Sequence, residues 1–129
     1  DVYKRQLEPC AYSMTFNVTG NKLNAILNQR SQDTLAANNW NVVQYSALLM
    51  MFAQVSGLEP GELVHVISDM HIYDRHVPII KELIERETFP APKVRLNPEI
   101  KNFYDFTVDD FIVEDYEHGK PIGKVPIAI

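Results

Sequence analysis

The sequence contains a single cysteine, Cys10, among its 129 residues. An internal disulfide needs two cysteines and a cysteine-rich zinc site needs several, so the sequence excludes both. His65, His71 and His76 match neither the HExxH spacing of a helical zinc site nor that of a zinc finger. We therefore expect no metal site.

Long apolar runs and phosphate-binding loops are also missing. The longest apolar stretch, residues 45–55, is interrupted by Ser46 and Gln54 and falls short of the roughly 20 residues that span a bilayer. All 5 glycines stand alone in turns or in the tail, which gives no support to a kinase or a dinucleotide-binding protein. Since no signal peptide is visible either, we expect a cytoplasmic protein that contacts no membrane.

The net charge of -5 disfavours DNA as a partner, although a few converging arginines could still bind a small anion. Residues 1–6 begin with Asp, show no periodicity and resemble translated sequence at the broken end of a contig. We expect these six residues not to be native. With no repeat or linker, residues 1–129 are interpreted as one domain.

The first apolar pattern predicts a β-hairpin. Residues 12–18 alternate, with Tyr12, Met14, Phe16 and Val18 on one face, as in a half-buried strand. Residues 19–21 are a turn signal, and residues 22–30 form a second alternating strand.

A long helix and further strands follow. A polar loop at 31–39 precedes a helix at 40–56, which Asn39 should cap and Gly57 should end. Its apolar residues lie all around it, so we expect it to be buried on most sides. The remaining pattern predicts a turn at 59–61, a strand at 63–67, a helix at 76–87, strands at 93–96 and 111–116, and an irregular tail from Gly119. The fold class is α+β, a sheet backed by long helices.

Several single residues could carry chemistry, yet each also has an ordinary structural explanation. They are Cys10, Arg30, Ser31, Asp33, Asn41, His71 and Tyr73. A lone cysteine is more often a small buried hydrophobic residue than a nucleophile. An Asp or Asn near a helix start is usually a turn or cap residue. His71 and Tyr73 would share a face if their strand continued.

The order of the motifs is more informative than any one of them. The first group is Pro9-Cys10, Gln29-Arg30-Ser31-Gln32-Asp33 and Trp40-Asn41-Val42-Val43-Gln44-Tyr45. The second is Gly57-Leu58-Glu59-Pro60-Gly61-Glu62, Asp69-Met70-His71-Ile72-Tyr73, His76, Arg86-Glu87, Pro92-Lys93, Asp110-Phe111 and Pro126-Ile127-Ala128-Ile129. From about residue 7 to the last residue, the chain resembles the thymidylate synthases in motif order and nearly in spacing.

The resemblance implies a fold and an activity. Thymidylate synthases have a mixed sheet backed by long helices, work as homodimers, and methylate dUMP to dTMP with 5,10-methylenetetrahydrofolate as co-substrate. The chain would be the C-terminal half of such an enzyme, a single partial domain that starts just before the catalytic cysteine. We therefore expect residues 1–129 alone to be inactive.

The same resemblance assigns roles at the nucleotide. Cys10 matches the nucleophile that adds to uracil C6. Arg30 matches the cation that favours its thiolate and also binds the phosphate, with Ser31 as a second phosphate ligand. Asn41 matches the residue that reads the uracil edge, and His71 and Tyr73 match the pair that holds the deoxyribose 3′-hydroxyl.

Other positions match the folate side of the site. Asp33 corresponds to the carboxylate that orients the pterin, and Asp69, in the strand-end segment before His71, is placed with the catalytic residues. The apolar tail, including Ala128, matches the segment that closes over the complex and excludes water.

The sequence departs from the family pattern at Ala11, Ala37 and Ser68, where His, Gly and Gly are common. Two alternatives stay open. A pyrimidine-nucleotide hydroxymethylase of the same fold would quench the intermediate with water, but Asn41, where related cytidylate enzymes carry Asp, favours uracil. The other is an inert fragment or pseudo-enzyme that keeps the fold as a binding module.

Overall fold

A β-hairpin opens the part of the chain that this computed structural model describes, residues 8–127. Strands β1 (Ala11–Thr19) and β2 (Lys22–Gln29) pair antiparallel. The turn between them contains Gly20, whose φ of 63° lies in the left-handed region that glycine adopts without steric cost. The predicted hairpin and its turn are confirmed.

The register of the hairpin collects apolar residues on one face. Met14 lies opposite Leu27, and Phe16 lies opposite Ala25, so the side chains of these pairs project to the same side of the sheet. This face packs against the long helix, where the ring of Phe16 contacts that of Phe52. The buried core cluster comprises Leu23, Ala25, Leu49 and Ala53.

The predicted loop after β2 contains a short strand and a carboxylate-stabilised turn. Strand β3 (Gln32–Asp33) precedes helix α1 (Asn38–Val55). The predicted cap, Asn39, is wrong, because the helix begins one residue earlier and its N-cap position is Ala37, whose methyl group cannot accept a hydrogen bond. The carboxylate of Asp33 instead accepts hydrogen bonds from the backbone N–H groups of Leu35 and Ala36 at 3.0 and 3.1 Å. These two hydrogen bonds stabilise the turn that precedes the helix.

Helix α1 ends where the sequence predicts. Gly57 has a φ of 68°, and its N–H donates to the carbonyl of Gln54 at 3.1 Å. The N–H of Leu58 donates to the carbonyl of Ala53 at 2.9 Å. These two bonds satisfy carbonyl groups of the last turn, as in a Schellman motif.

Strand β4 (Glu59–Ile67) pairs parallel with β2, which makes a mixed sheet in the order β1-β2-β4. The turn predicted at 59–61 is wrong, since these residues begin the strand. The N–H of Glu59 donates to the carbonyl of Asn21 at 2.8 Å. Pro60 has no N–H to donate, which is tolerated near the start of an edge strand.

The expected burial of α1 on most sides is also wrong. Only Leu49 and Ala53 are buried, while Trp40 is 77% exposed and Val43 67% exposed. Among the described residues, α1 packs mainly against β4 and β2. One side of the helix is therefore covered and the other is not.

The segment after β4 forms a short strand and a second helix. Strand β5 (Met70–His71) pairs parallel with β3, and a 3-10 turn at Asp74–His76 leads into α2 (Val77–Ile84). The helix predicted at 76–87 is therefore too long. Its last predicted turn is held by i→i−3 bonds, from Glu85 N to the carbonyl of Glu82 at 3.3 Å and from Arg86 N to the carbonyl of Leu83 at 3.2 Å.

Two strands close the described elements. Strand β6 (Lys93–Leu96) is found as predicted and pairs antiparallel with β7 (Phe111–Glu114). The strand predicted at 111–116 ends two residues early because Asp115, with a φ of 58°, turns the backbone out of the extended conformation. No helix within residues 8–127 is long and apolar enough to cross a membrane.

A buried carboxylate organises the loop between β6 and β7. Asp110 accepts hydrogen bonds from the backbone N–H and the hydroxyl of Thr107, both at 2.8 Å, and from the side-chain amide of Asn97 at 2.8 Å. The Thr107 backbone N–H contributes most to a lowered pKa of this carboxyl, followed by Asn97. Gln54 of α1 donates to the carbonyls of Asn97 and Ile100, both at 2.9 Å, which ties the loop to the helix.

The close approach of β4 to β2 predicts that Gly61→Ala destabilises the fold. A Cβ at Gly61 would lie 2.9 Å from the Leu23 carbonyl oxygen and would overlap Oδ1 of Asn24, which already accepts the N–H of Glu62 at 2.9 Å. We expect the free energy of unfolding of the whole protein to fall by about 1–3 kcal/mol, measured by urea denaturation. Gly123→Ala is the control, because within residues 8–127 no heavy atom other than those of its chain neighbours lies within 4 Å of its Cβ position. Equal unfolding midpoints for the two variants would contradict this explanation.

Candidate active site

Three chain segments converge at one edge of the mixed sheet. Strands β2 and β4 run parallel, so their carboxyl ends lie at the same edge. The start of β1 lies there too, since β1 is antiparallel to β2. This is the edge at which ligands commonly bind in sheets with parallel strands. Cys10 precedes β1, Arg30 and Ser31 follow β2, and Asp69 follows β4.

Cys10 and Arg30 are neighbours across the open end of the hairpin. The backbone N–H of Arg30 donates to the carbonyl oxygen of Cys10 at 2.9 Å. The Arg30 guanidinium donates through Nη2 to the carbonyl of Glu8 at 2.6 Å. Both Cys10 and Arg30 are exposed, so both side chains are accessible at the edge of the sheet.

Backbone hydrogen bonds align the segment after β2 with the segment after β4. Ser68 N donates to the Gln29 carbonyl at 3.0 Å, and Gln32 N donates to the Asp69 carbonyl at 2.9 Å. Ser31 therefore lies between two residues that are bonded to the 68–71 segment. The carboxylate of Asp69 is 69% exposed, and its Oδ2 lies 3.4 Å from Nδ1 of His71.

The rings of His71 and Tyr73 are in contact, although the strand does not continue to Tyr73. Strand β5 ends at His71, and Tyr73 lies in the following loop. Their ring centroids are 5.1 Å apart with an interplanar angle of 85°, an edge-to-face arrangement. The two residues are therefore neighbours through this ring contact and not because they share a strand face.

Asn41 joins the site through a buried amide that the sequence analysis missed. Gln29, at the end of β2, is only 2% exposed. Its Nε2 lies 2.8 Å from the Ser31 carbonyl oxygen and 3.4 Å from Oδ1 of Asn41, and it also donates to Oε1 of Gln32. Its Oε1 lies 2.9 Å from Nε2 of His65 on β4.

A signal for this network was present in the sequence. Gln29 continues the alternation of Leu23, Ala25 and Leu27, so it falls on the apolar face of its strand. A polar side chain on a buried face needs hydrogen-bond partners. Its position directly before Arg30 pointed to the site, but its partner His65 is 36 residues away and could be found only by knowing the strand pairing.

Burial lowers the pKa of His65 below its ordinary value of 6.5. Desolvation disfavours the charged form of a histidine, so the imidazole is neutral at pH 7. A neutral imidazole carries one donor and one acceptor nitrogen. The nitrogen that faces Gln29 therefore has a defined hydrogen-bonding role.

A second histidine holds the C-terminal segment beside Asp33. His76 is 2% exposed, and its Nε2 lies 2.9 Å from the carbonyl oxygen of Pro126. Its Nδ1 lies 3.7 Å from Oδ1 of Asp33. Arg75 donates to the carbonyl of Ile127 at 3.1 Å, so two consecutive residues anchor the tail.

A cavity of about 380 Å³ lies between this tail and the turn after β3. It is lined by Asp33, Ala36, Tyr73, His76, Val125, Pro126 and Ile127. A carboxylate set among apolar and aromatic side chains suits a planar organic molecule that carries hydrogen-bond donors. Ala128, predicted for the same ligand, lies outside the described residues, as does the last residue of the tail. Within residues 8–127, no three His, Cys, Asp or Glu side chains are grouped to hold a metal ion.

Comparison with known proteins identifies relatives of this chain. The family model described as thymidylate synthase matches residues 1–129. The chain is 45% identical over 122 residues to thymidylate synthase 1 of Bacillus amyloliquefaciens, covering 94% of this chain and 53% of the relative. It is 46% identical over 113 residues to thymidylate synthase 1 of Bacillus subtilis strain 168, covering 88% of this chain and 40% of the relative.

A solved structure extends the likeness to three dimensions. The thermostable thymidylate synthase A from Bacillus subtilis superposes with a TM-score of 0.89 at 43% identity, covering 93% of this chain and 43% of that one. The α+β fold expected from the resemblance is confirmed. The chain spans about half the length of the curated relatives it matches.

The lowered pKa of His65 predicts a pH-dependent contribution to stability. As pH falls through 6.5, the ordinary value, the unfolded chain binds a proton at this histidine that the folded chain does not, so the free energy of unfolding decreases. Urea unfolding of the whole protein between pH 7.5 and 5.5 should show a steeper loss for the wild type than for His65→Gln, which cannot titrate. Parallel pH profiles for the two proteins would show that burial of His65 does not govern this loss.

Proposed function

Since the chain belongs to the thymidylate synthase family, we propose that the protein containing it methylates dUMP to dTMP. The observation that carries the proposal is the pairing of Cys10 with Arg30, whose backbones are joined by a 2.9 Å hydrogen bond at the exposed edge of the sheet. A nucleophile beside a cation at a ligand-accessible edge suits covalent catalysis on an anionic substrate.

Cys10 supplies the nucleophile. Its thiolate adds to C6 of the uracil ring, which moves the C5–C6 π electrons onto C5 and O4 and makes C5 nucleophilic. Arg30, which is joined to Cys10 by a backbone hydrogen bond, is proposed as the catalytic cation that accompanies this nucleophile. The exposed position of Cys10 leaves the approach of a pyrimidine ring open.

Arg30 and Ser31 bind the phosphate. A guanidinium offers several N–H donors to phosphate oxygens, and a hydroxyl adds one more. Both residues follow β2 directly, and the Ser31 backbone is held by the 2.8 Å bond from Gln29. The phosphate would therefore sit at the carboxyl end of the strand, with C6 of the base directed to Cys10.

Asn41 reads the base, and His71 with Tyr73 holds the sugar. The Asn41 amide donates to uracil O4 and accepts from N3–H, and its half-buried position beside Gln29 supports this role. The edge-to-face rings of His71 and Tyr73 can present a ring nitrogen and a hydroxyl to the 3′-hydroxyl. Asp69 is proposed to complete this part of the site, since its carboxylate lies 3.4 Å from the His71 ring.

The cavity beside Asp33 is the proposed folate site. When bound, 5,10-methylenetetrahydrofolate supplies the one-carbon unit and then the hydride. Asp33 uses Oδ1 for two backbone N–H groups, so its carboxylate is held in place to accept from the pterin. The tail residues Val125 and Pro126 form an apolar wall that helps to exclude water, and Ala128 is proposed to extend that wall.

The assembly and the cellular location are further parts of the proposal. Ile26, Val64 and Val66 are exposed on the sheet face opposite α1, and such apolar residues suit the interface of a homodimer. We propose a cytoplasmic homodimer with no DNA partner, in keeping with the charge of -5.

The proposed activity predicts dTMP formation from dUMP and 5,10-methylenetetrahydrofolate by the whole protein. Cys10→Ser should lower kcat by roughly 10⁴-fold or more, the scale of losing a covalent nucleophile, while dUMP binding persists. The 129-residue chain assayed alone should form no dTMP, because it spans about half of its relatives. Full activity of Cys10→Ser would contradict the assignment of the nucleophile.

Replacing the base-reading amide separates the synthase from a hydroxymethylase specific for cytosine nucleotides. In Asn41→Asp the side chain has lost the N–H donor that meets uracil O4, and a carboxylate suits the amino group of cytosine instead. We expect kcat/KM for dUMP to fall about 10- to 100-fold and binding of dCMP to strengthen. Product analysis by chromatography checks this, and unchanged use of dUMP would remove Asn41 from base recognition.

A further inference from the structure

We propose that His65 is a positioning residue that fixes, through Gln29, the orientation in which the Asn41 amide meets the pyrimidine ring. The proposal rests on the proposed function, in which Asn41 reads the base. None of the motifs that identify the site includes His65, which lies within β4. It approaches the site only through the pairing of β4 with β2.

A side-chain amide can take either of two orientations that differ by a flip of its oxygen and nitrogen. The oxygen and nitrogen ends of Asn and Gln have nearly the same shape, so their hydrogen-bond partners decide which end points where. An amide that reads uracil must place its oxygen toward N3–H and its nitrogen toward O4. Cytosine presents an acceptor at N3 and a donor at the 4-amino group, so the flipped amide would read cytosine.

The orientation of Gln29 is determined by three neighbours, since its nitrogen donates to Oε1 of Gln32 as well as contacting Ser31. Its nitrogen lies 2.8 Å from the backbone carbonyl oxygen of Ser31, which can only accept. Its oxygen lies 2.9 Å from Nε2 of His65, which must then donate. A flip of the Gln29 amide would place its oxygen against the Ser31 carbonyl oxygen and its nitrogen against the N–H group of His65. Both contacts would then be repulsive.

Gln29 passes this orientation to Asn41. Its Nε2 lies 3.4 Å from Oδ1 of Asn41 and donates over shorter distances to Ser31 and Gln32, so the oxygen end of Asn41 faces the Gln29 nitrogen and shares one of its two N–H groups. Oδ1 has a second lone pair for uracil N3–H, and Nδ2 is left for uracil O4. With Gln29 only 2% exposed, water cannot readily replace a missing partner, and an unmatched orientation would leave a buried polar atom without a hydrogen bond.

His65 is suited to this role by its own surroundings. It shares the apolar face of the sheet with Leu27, its register partner on β2. The lowered pKa of the ring keeps it neutral, so the donor at Nε2 implies an unprotonated Nδ1. The network thus specifies one tautomer.

The test uses the whole protein and compares His65→Phe with His65→Gln. Phenylalanine keeps a ring but removes the donor, whereas the Nε2 of glutamine can reach the same position as that of histidine. We expect the ratio of the dissociation constants of dCMP and dUMP to fall about 10-fold in His65→Phe, equivalent to about 1.4 kcal/mol, and to stay near the wild-type value in His65→Gln. The KM for the folate should not change in either variant.

His118→Phe is the matched control, because His118 is exposed and its Nδ1 contacts only the carbonyl of the adjacent Gly119 among the contacts of the described residues. A preference for dUMP that is undiminished in His65→Phe would overturn the role of His65 and leave the proposed function intact. A wild-type protein that does not prefer dUMP would overturn the proposed function, and this inference with it.

A spectroscopic measurement on the wild type covers the case in which His65→Phe does not fold. Selective ¹⁵N labelling of histidine reports the tautomer of each ring by NMR. The hydrogen bond to Gln29 requires a proton on Nε2 of His65. A proton on Nδ1 alone would overturn the inference whatever the kinetics show.

Discussion

The parallel pairing of β2 with β4 is the interaction on which the rest of the site depends. It sets the carboxyl ends of both strands at one edge, so that Arg30 and the residues after it lie beside Asp69 and His71. The antiparallel hairpin then returns the chain start to the same edge and brings Cys10 to Arg30. The same pairing places His65 next to Gln29, so the base-reading amide depends on it as well.

The local features of the fold could be predicted from the sequence because their causes are local. The hairpin follows from alternation and a glycine turn, and the end of α1 follows from Gly57 in the left-handed conformation. The start of α1 does not follow from the sequence, since Asn39 is an ordinary cap residue whereas the carboxylate that accepts the backbone N–H groups before the helix, Asp33, lies further upstream. The strand start at Glu59 resembles a turn in the sequence because proline and glycine are typical of turns, whereas its strand partner on β2 is distant in sequence.

The composition of the candidate site was predicted by the order of motifs, and its geometry was not. No periodicity shows that Gln29 contacts His65, since that contact joins residues 36 positions apart. Burial of α1 was overestimated for a related reason. Apolar residues lie all around the helix in the sequence pattern, which predicts burial on most sides. In the structure, the described residues pack against one side of the helix and leave Trp40 exposed. The apolar pattern of a sequence predicts which face of a helix or strand is apolar. Which other elements pack against that face is decided by the tertiary structure.

The most direct test of the central claim is a covalent one. The whole protein, incubated with 5-fluoro-dUMP and 5,10-methylenetetrahydrofolate, should form a stable ternary adduct, because fluorine at C5 cannot leave as the proton does and the reaction stops with the thioether at C6 in place. Mass spectrometry of a protease digest should find the added mass on the peptide that contains Cys10. An unmodified Cys10 peptide, or an adduct on any other residue, would contradict the account.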